Sequence, residues 1–220
     1  MKFFKVYGLV FTLMTLLACT PSPVEGQSQQ NKPSQAELDK LHTAYFASGC
    51  FWCVEAVFES VKGVKEAVSG YAGGKEPNPT YRQVGAGRTG HAEAVLVYYD
   101  SAIVDFPTLV KVYYGSHDPT SVNRQGPDRG TQYRSIAFYQ NESEKNIIED
   151  YIAKLESGDQ YQKGDIVTEL LPLTRFYEAE GYHQDYERNN PNNPYVRSVS
   201  IPRLKRFQAK FPELLKDEQH

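Results

Sequence analysis

A strand, a tight turn and a helix follow one another directly between residues 43 and 61. Residues 43–47 have the composition of a short strand, and Ser48-Gly49 supplies a turn. Apolar residues then recur at spacings of three and four, which is the period of an amphipathic helix: Val54, Val57, Phe58 and Val61. Cys50 is therefore predicted in the first turn of this helix, and Cys53 lies one turn further along.

These two cysteines are the only thiols after residue 19. The unpaired N–H groups at a helix N-terminus favour an anion, so we predict a lowered pKa for the Cys50 thiol and a nucleophilic thiolate. Residues three apart on a helix are neighbours, and disulfide closure with Cys53 then needs only a modest adjustment. Large apolar residues, Phe51 and Trp52, separate the pair and would suit an uncharged apolar substrate.

Two other interpretations of the pair are weaker. Half a zinc site would need a second cysteine pair or a His-x-x-x-His motif, and the chain has neither. A purely structural disulfide would close a loop too small to constrain the unfolded chain much. A redox or nucleophilic pair is favoured, although the motif alone does not separate a disulfide oxidoreductase from other thiol enzymes.

The first eighteen residues have the pattern of a secretory signal. Lys2 and Lys5 precede an apolar stretch too short to span a bilayer comfortably. The signal ends in Leu16-Leu17-Ala18-Cys19, which resembles the bacterial lipoprotein signal and predicts cleavage before Cys19 and its lipidation. An ordinary cleaved signal with an incidental cysteine is the alternative. Residues 19–40 are rich in Pro, Ser, Gln and Asn and are predicted to be a disordered tether.

Residues 41–220 have the size of one domain. Removal of the signal changes the formal net charge from −3 to −5, which argues against nucleic acid as the main partner. Export places the domain in an oxidising setting, attached to a membrane through lipid at the periplasmic or extracytoplasmic face. Thiols that turn over there need an exported electron donor.

Strands alternate with helices along the rest of the domain, which predicts an α+β fold with a mixed sheet covered mainly by helices. The predicted strands are 64–71, 92–99, 134–139 and 165–171. The predicted helices are 105–114, 142–156 and 202–216. Apolar residues fill both faces of strand 92–99, so that strand is expected to be covered on both sides.

Glu93 lies near the start of this strand, on the same face as Val95 and Val97. A carboxyl group buried there would have a raised pKa and would be suited to act as a general acid. The strand pattern alone leaves a solvated glutamate at a frayed strand end equally open.

Polar loops carry further candidates. Residues 117–134 form a connection that is too long and polar to serve only as a linker in a compact domain, so a functional loop is predicted. A flexible surface loop is the alternative. Asp128 and Tyr133 lie where this connection rejoins a strand. Many of the sixteen tyrosines lie in such loops, including Tyr81, Tyr182 and Tyr195. Such a tyrosine can offer a ring to a substrate and a hydroxyl donor to an oxyanion. His183 is either a base or, as for most lone histidines, structural.

Several segments in a fixed order resemble the A class of the peptide methionine sulfoxide reductases. The resemblance spans roughly residues 43–195. Its segments are Gly49-Cys50-Phe51-Trp52, Gly70-Tyr71-Ala72-Gly73-Gly74, Asn78-Pro79-Thr80-Tyr81, Gly90-His91-Ala92-Glu93-Ala94-Val95, His117-Asp118-Pro119-Thr120, Asn123-Arg124-Gln125-Gly126 to Tyr133-Arg134-Ser135, and Ala179-Glu180 to Tyr182-His183-Gln184.

The resemblance implies a two-layer α+β sandwich with a ferredoxin-like core. It implies Cys50 as the nucleophile and Glu93 as the proton donor. Oxygen-binding groups would be Tyr81, Asp128 and Tyr133; Phe51 and Trp52 would form the pocket for the S-methyl group, with Tyr182 near the site. The implied substrate is the S epimer of methionine sulfoxide, free or in proteins. No metal or cofactor is implied, and we expect a monomer.

The implied chemistry leaves Cys50 as a sulfenic acid, which a second thiol condenses into a disulfide. A thioredoxin-like dithiol would then reduce that disulfide. The chain departs from the common family pattern because Cys53 replaces a glycine and no cysteine follows it, so Cys53 is predicted to resolve Cys50. A general disulfide oxidoreductase and a tyrosine-rich, peptide-binding surface lipoprotein remain the alternatives.

Overall fold

The structure is a computed structural model that describes residues 1–3 and 32–217. Residues 33–220 form one compact unit. Its helices are α1 (Gln35–Leu38), α2 (Phe51–Glu59), α3 (Tyr81–Gly85), α4 (Phe106–Gly115), α5 (Glu142–Glu156), α6 (Tyr186–Asn189) and α7 (Ile201–Lys210). Its strands are β1 (His42–Ser48), β2 (Val64–Ala72), β3 (Ala92–Tyr99), β4 (Arg124–Gln125), β5 (Asp128–Arg129), β6 (Ser135–Tyr139), β7 (Glu169–Pro172) and β8 (Phe176–Glu178).

Six of these strands form one mixed sheet in the order β7-β6-β1-β3-β2-β8. All neighbours are antiparallel except β6 and β7. Its central part, β6-β1-β3-β2, together with α2 and α4, has the connectivity and strand order of a ferredoxin-like βαββαβ unit. The predicted α+β class and ferredoxin-like core are therefore confirmed.

The two faces of the sheet bury different residues because successive side chains alternate. Phe46, Val95 and Val97 lie in the main core with residues of α2, α4, α5 and α7. Ala47, Ala92, Ala94, Ile136 and Phe138 form a smaller cluster on the other face. Every residue of β3 except Tyr98 is buried, so the prediction that this strand is covered on both sides is confirmed.

The turn between β1 and α2 fixes where the thiols lie. Gly49 has φ of +92°, a conformation that favours glycine. A Cβ added there would lie 2.6 Å from the Cβ atom of Gln125. The chain therefore enters α2 directly from the central strand β1, with the polar 117–134 loop packed against the turn.

Long elements agree with the sequence analysis and short ones differ. Helix 142–156 and strand 92–99 have the predicted bounds. The predicted helix 202–216 ends as α7 at Lys210 and is followed by a 3₁₀ turn, and β7 begins at Glu169, not at 165. Helix α3 and strand β8 were not predicted.

The N-terminal predictions fall mostly outside the described residues. These are the predicted signal at 1–18, beyond its first three residues, the predicted lipidation site Cys19, and residues 20–31 of the predicted tether. Within the predicted tether, residues 35–38 form α1, and Leu38 is buried. No helix in the described part of the chain is long and apolar enough to cross a membrane.

Candidate active site

The two thiols lie where α2 begins, beneath the molecular surface. Cys50 is the N-cap residue of α2, and Cys53 lies in its first turn. Cys50 is 7% exposed and Cys53 is 2% exposed. Each thiol alters the pKa of the other, so the reduced pair lies close together, as the helical spacing predicted.

The thiol with the lowered pKa is Cys53 and not Cys50. Burial raises the pKa of Cys50, and the hydrogen bond to Cys53 and the nearby Cys53 and Glu93 charges raise it further. The hydrogen bond from Cys50 lowers the pKa of Cys53 to about 6 against the opposing effect of burial. The prediction of a lowered Cys50 pKa is therefore wrong, because burial and the neighbouring Cys53 and Glu93 raise it.

Residues from the C-terminal part of the chain help to hold the Cys53 thiolate. The Tyr195 hydroxyl lies 3.8 Å from the Cys53 sulfur. The Ser200 hydroxyl and the positive charge of Arg203 also lower the Cys53 pKa. Val196–Ser200 forms a π-helical segment that begins directly after Tyr195 and leads into α7. One continuous stretch of the chain, residues 195–203, therefore supplies all three groups.

Arg203 is buried and has its guanidinium fixed by neutral acceptors. Its Nε donates to the Ser116 carbonyl at 2.9 Å, and Nη1 and Nη2 donate to the Ser48 carbonyl and hydroxyl at 3.0 and 3.1 Å. These bonds attach α7 to the end of β1 and to the residue after α4. The guanidinium charge itself is not neutralised by them.

Glu93 is buried next to the start of α2. It is 1% exposed, and its Oε2 accepts a hydrogen bond from the Phe51 backbone N–H at 3.0 Å. Burial raises the Glu93 pKa to about 8, and the nearby Asp128 and Cys53 charges act in the same direction. The hydrogen bond from Phe51 acts in the opposite direction and lowers it. The predicted buried carboxyl group with a raised pKa is confirmed, and the frayed-end alternative is wrong.

Tyr81, Tyr133 and Asp128 are half-buried around this carboxyl group. Burial and the Glu93 and Cys50 charges raise the pKa of Tyr81 to about 12, and the same influences raise that of Tyr133. Both phenols therefore remain hydrogen-bond donors near Glu93 and Cys50. Asp128 accepts a 2.6 Å hydrogen bond from Tyr195, and burial raises its pKa.

The two aromatic residues between the thiols have different surroundings. The Trp52 ring is partly exposed and stacks on Tyr186, with ring centroids 3.7 Å apart. Phe51 is 1% exposed and packs against Tyr71 and Tyr81. Trp52 is thus available to a ligand, whereas Phe51 supports the site from below.

His183 positions Trp52. Its Nδ1 accepts a 3.1 Å hydrogen bond from the indole N–H, which requires a lone pair on Nδ1 and a proton on Nε2 when the ring is neutral. Burial lowers the His183 pKa. Tyr182 is 63% exposed, with its ring 4.1 Å from that of His183. It therefore lies at the rim and not among the buried groups.

Sequence analysis named Tyr195 only as one of several loop tyrosines and did not name Arg203 or Glu55. Glu55 is 2% exposed on α2, and burial raises its pKa to about 8. It accepts hydrogen bonds from Ser69 and from the Asp185 backbone. The burial of Glu55 could have been predicted from the sequence, because it lies four residues after Phe51 and three before Phe58 on the buried face of the helix. Glu55, Glu59 and Asp185 place carboxylate oxygens within 4.8 Å of one another.

Comparisons with known proteins agree with this arrangement. The family model described as "Peptide methionine sulfoxide reductase" matches residues 42–215. A curated relative from Rhodopirellula baltica, peptide methionine sulfoxide reductase MsrA 1, is 49% identical over 84% of this chain and 97% of its own length. A relative of the same name, MsrA, from Acinetobacter baumannii strain SDF is 47% identical over 81% of this chain and all of its own.

A solved structure has the same fold. Methionine sulfoxide reductase A of Corynebacterium diphtheriae superposes with a TM-score of 0.60 at 40% identity, covering 68% of this chain and 74% of that one. The region that the family model matches contains both thiols, Glu93 and the tyrosines around them. The chain belongs to the peptide methionine sulfoxide reductase family, A class.

Proposed function

We propose that this enzyme reduces the S epimer of methionine sulfoxide, free or in exported proteins, through a sulfenic acid on Cys50 and a Cys50–Cys53 disulfide. The observation that carries this proposal is the buried Glu93, whose pKa of about 8 keeps it protonated at neutral pH beside the Cys50 turn. A protonated carboxyl group can donate to the departing oxygen of a sulfoxide. Simple disulfide exchange has no departing oxygen that needs a proton from such an acid.

The partly exposed Trp52 and the phenols of Tyr81 and Tyr133 are suited to a methyl sulfoxide. Trp52 offers an apolar ring to the S-methyl group, and the phenols offer donors to the sulfoxide oxygen. Asp128 holds Tyr195 at this position. Phe51 keeps the floor of the site apolar from beneath.

In the first step the Cys50 sulfur attacks the sulfoxide sulfur, and Glu93 protonates the oxygen. Cys50 loses its proton in this step, and the hydrogen-bonded Cys53 thiolate is the acceptor within reach. The protonated oxygen is transferred to the Cys50 sulfur as the methionine sulfur loses its bonds to oxygen and to Cys50. Methionine leaves with two electrons from the Cys50 sulfur, and Cys50 becomes a sulfenic acid.

In the second step the Cys53 sulfur attacks the Cys50 sulfenic acid. The S–O bond breaks, water leaves with the Cys53 proton, and a disulfide forms. Residues 54–220 contain no cysteine, so Cys53 is the resolving thiol in this scheme. A thioredoxin-like exported dithiol then reduces the disulfide by exchange.

The N-terminal sequence pattern supports a site of action outside the cytoplasm. The signal-like segment and Cys19 favour a lipoprotein held at a membrane surface. There the enzyme would repair exported proteins with oxidised methionines.

The test is activity on each methionine sulfoxide epimer with dithiothreitol, compared between the parent and Cys50→Ser. We expect methionine release from the S epimer only, and none from the variant, because no other described group provides the attacking sulfur at this position. Turnover of the R epimer, or activity above a few per cent in pure Cys50→Ser protein, contradicts the proposal.

A further inference from the structure

A second opening reaches the thiol pair through Cys53. A cleft of about 390 Å³ is lined by Cys53, by residues after α4, by the 117–134 loop and by one face of α7. Cys50, Trp52, Tyr81 and Tyr133 do not line it. Of the groups assigned to the sulfoxide, only Asp128 lines the cleft, which reaches the pair at Cys53 and not at Cys50.

Positive charge dominates the α7 side of this cleft. Arg203, Arg206 and Lys210 line it at the spacing of one helix face. Among residues 32–217, no carboxylate lies within ion-pairing distance of these three cations, in contrast to Lys62, Lys111 and Arg134.

Two carboxyl groups, Asp118 and Asp128, also line the cleft, against the three cations of α7. Burial disfavours the charge of Asp118, but hydrogen bonds from Ser121 and Thr120 lower its pKa overall. Burial raises the pKa of Asp128, which accepts a hydrogen bond from Tyr195. Burial lowers the pKa of His117 to about 3, so this ring is neutral.

The balance of charge changes with the redox state of the pair. In the reduced enzyme the Cys53 thiolate partly compensates the buried Arg203 charge. Disulfide formation removes that negative charge, while the Arg203 guanidinium stays fixed by neutral acceptors. An uncompensated buried cation is costly, so the oxidised cleft attracts an anion more strongly than the reduced one.

We propose that this cleft binds a low-molecular-weight anionic thiol, one with a carboxylate or sulfonate near its sulfur, and directs it to Cys53 of the oxidised enzyme. This inference rests on the proposed disulfide. It gives the enzyme a small-molecule route to reduction besides the protein donor.

The chemistry is two successive thiol–disulfide exchanges. The bound thiolate attacks the Cys53 sulfur, the Cys50–Cys53 bond breaks, and Cys50 leaves as a thiolate that takes up a proton. A second thiol molecule attacks the small-molecule sulfur of the mixed disulfide and releases Cys53. The two thiol molecules supply both electrons and leave as their own disulfide.

The test compares three thiols of similar size and different charge: 2-mercaptoethanesulfonate, 2-mercaptoethanol and cysteamine. Their rates of reducing the oxidised enzyme are measured at low salt in the parent, Arg206→Glu and Lys210→Glu. Reversal of one charge should lower the anionic-to-neutral rate ratio about tenfold and raise the cationic-to-neutral ratio, since it replaces attraction of the sulfonate by repulsion at short range. Because the rates with the charged and the neutral thiol are compared within one variant, a general loss of activity lowers both and leaves their ratio unchanged.

Lys205→Glu is the matched control, because Lys205 lies exposed on α7 but does not line the cleft. It should leave the ratios unchanged. Equal ratios in the parent, Arg206→Glu and Lys210→Glu, or the same change in Lys205→Glu, would overturn the proposal. Single-turnover methionine release by the parent reports separately whether the proposed function holds.

Two further measurements examine the attacked sulfur and the redox dependence. Brief treatment of the oxidised enzyme with 2-mercaptoethanesulfonate, followed by alkylation, should place the adduct on Cys53 and the alkyl group on Cys50. An unreactive analogue, 2-(methylthio)ethanesulfonate, should bind the oxidised enzyme several-fold more tightly than the reduced one by calorimetry. An adduct on Cys50, or equal affinity for both states, contradicts the proposal.

Discussion

A carboxyl group can act as an acid only while it holds its proton. Glu93 does so up to a pH of about 8 because burial raises its pKa. Above that pH the ionised carboxylate is unable to donate to the sulfoxide oxygen, so the rate of methionine release should fall as pH rises through 8.

Glu93→Gln should slow the chemical step about 10²–10⁴-fold, the usual contribution of a positioned general acid. Gln retains the size of the side chain and an acceptor for the Phe51 N–H. The measurement is single-turnover methionine release against pH. A rate within twofold of the parent would show that another group donates the proton.

Cys53→Ser should separate the first step from the second. The variant should still release one equivalent of methionine without reductant, more slowly than the parent, because the thiolate that accepts the Cys50 proton is gone. It should then stall as a sulfenic acid with a thioredoxin-like donor. Methionine release and steady-state turnover with that donor are the two measurements; normal turnover would mean that Cys53 only packs.

Individual residues were predictable where a local pattern reports burial. Alternation along β3 made Glu93 a candidate by placing it on the same face as Val95 and Val97, but it left a solvated side chain equally open, and the resemblance supplied its role. Tyr195 and Arg203 reach the thiols through contacts of more than 140 residues in sequence separation, and no local pattern encodes such contacts. The lowered pKa of Cys53 depends on these same distant groups.

At the scale of the helix, α2 carries an ionisable group inside the core. Burial raises the Glu55 pKa to about 8 in the folded state, against about 4.3 in an unfolded chain. The native state therefore holds a proton that the unfolded state releases between these values. Its contribution to stability is present below about pH 4.3 and is lost as pH rises toward 8.

Glu55→Gln should not lose stability as pH rises toward 8, because a neutral amide replaces the buried carboxyl group. We expect the variant to unfold at higher temperature than the parent at pH 8.5 and at nearly the same temperature at pH 5. Thermal unfolding of both proteins against pH checks this, with the exposed Glu149→Gln as the control. A variant that is less stable at pH 8.5 would contradict the assigned protonation.

Long elements were predictable because hydrophobic periodicity needs several turns or pleats to stand out. This applies to β3 and α5. Helix α3 has five residues and β8 has three, which is too few for a period. The strand order was implied by family resemblance and not by the pattern, since the pairing partners of a strand lie far apart in the chain.

For the whole molecule, the export hypothesis rests on sequence alone. Cys19 is predicted to carry lipid, so the full-length protein should partition with membranes, and Cys19→Ala should yield unprocessed or soluble protein with the same fold. Intact mass of the membrane-extracted protein is the measurement. A mature N-terminus without acyl mass would refute lipidation.

The contact between the two thiols within a single helical turn has a consequence for kinetics in crowded or viscous media. Resolution of a sulfenic acid by a cysteine on a remote tail requires a chain segment to diffuse through solvent. Here the two thiols are one helical turn apart and already interact, so closing the disulfide requires only a small local adjustment and no diffusion of a chain segment through solvent. The rate of disulfide formation should therefore be almost independent of added glycerol or sucrose.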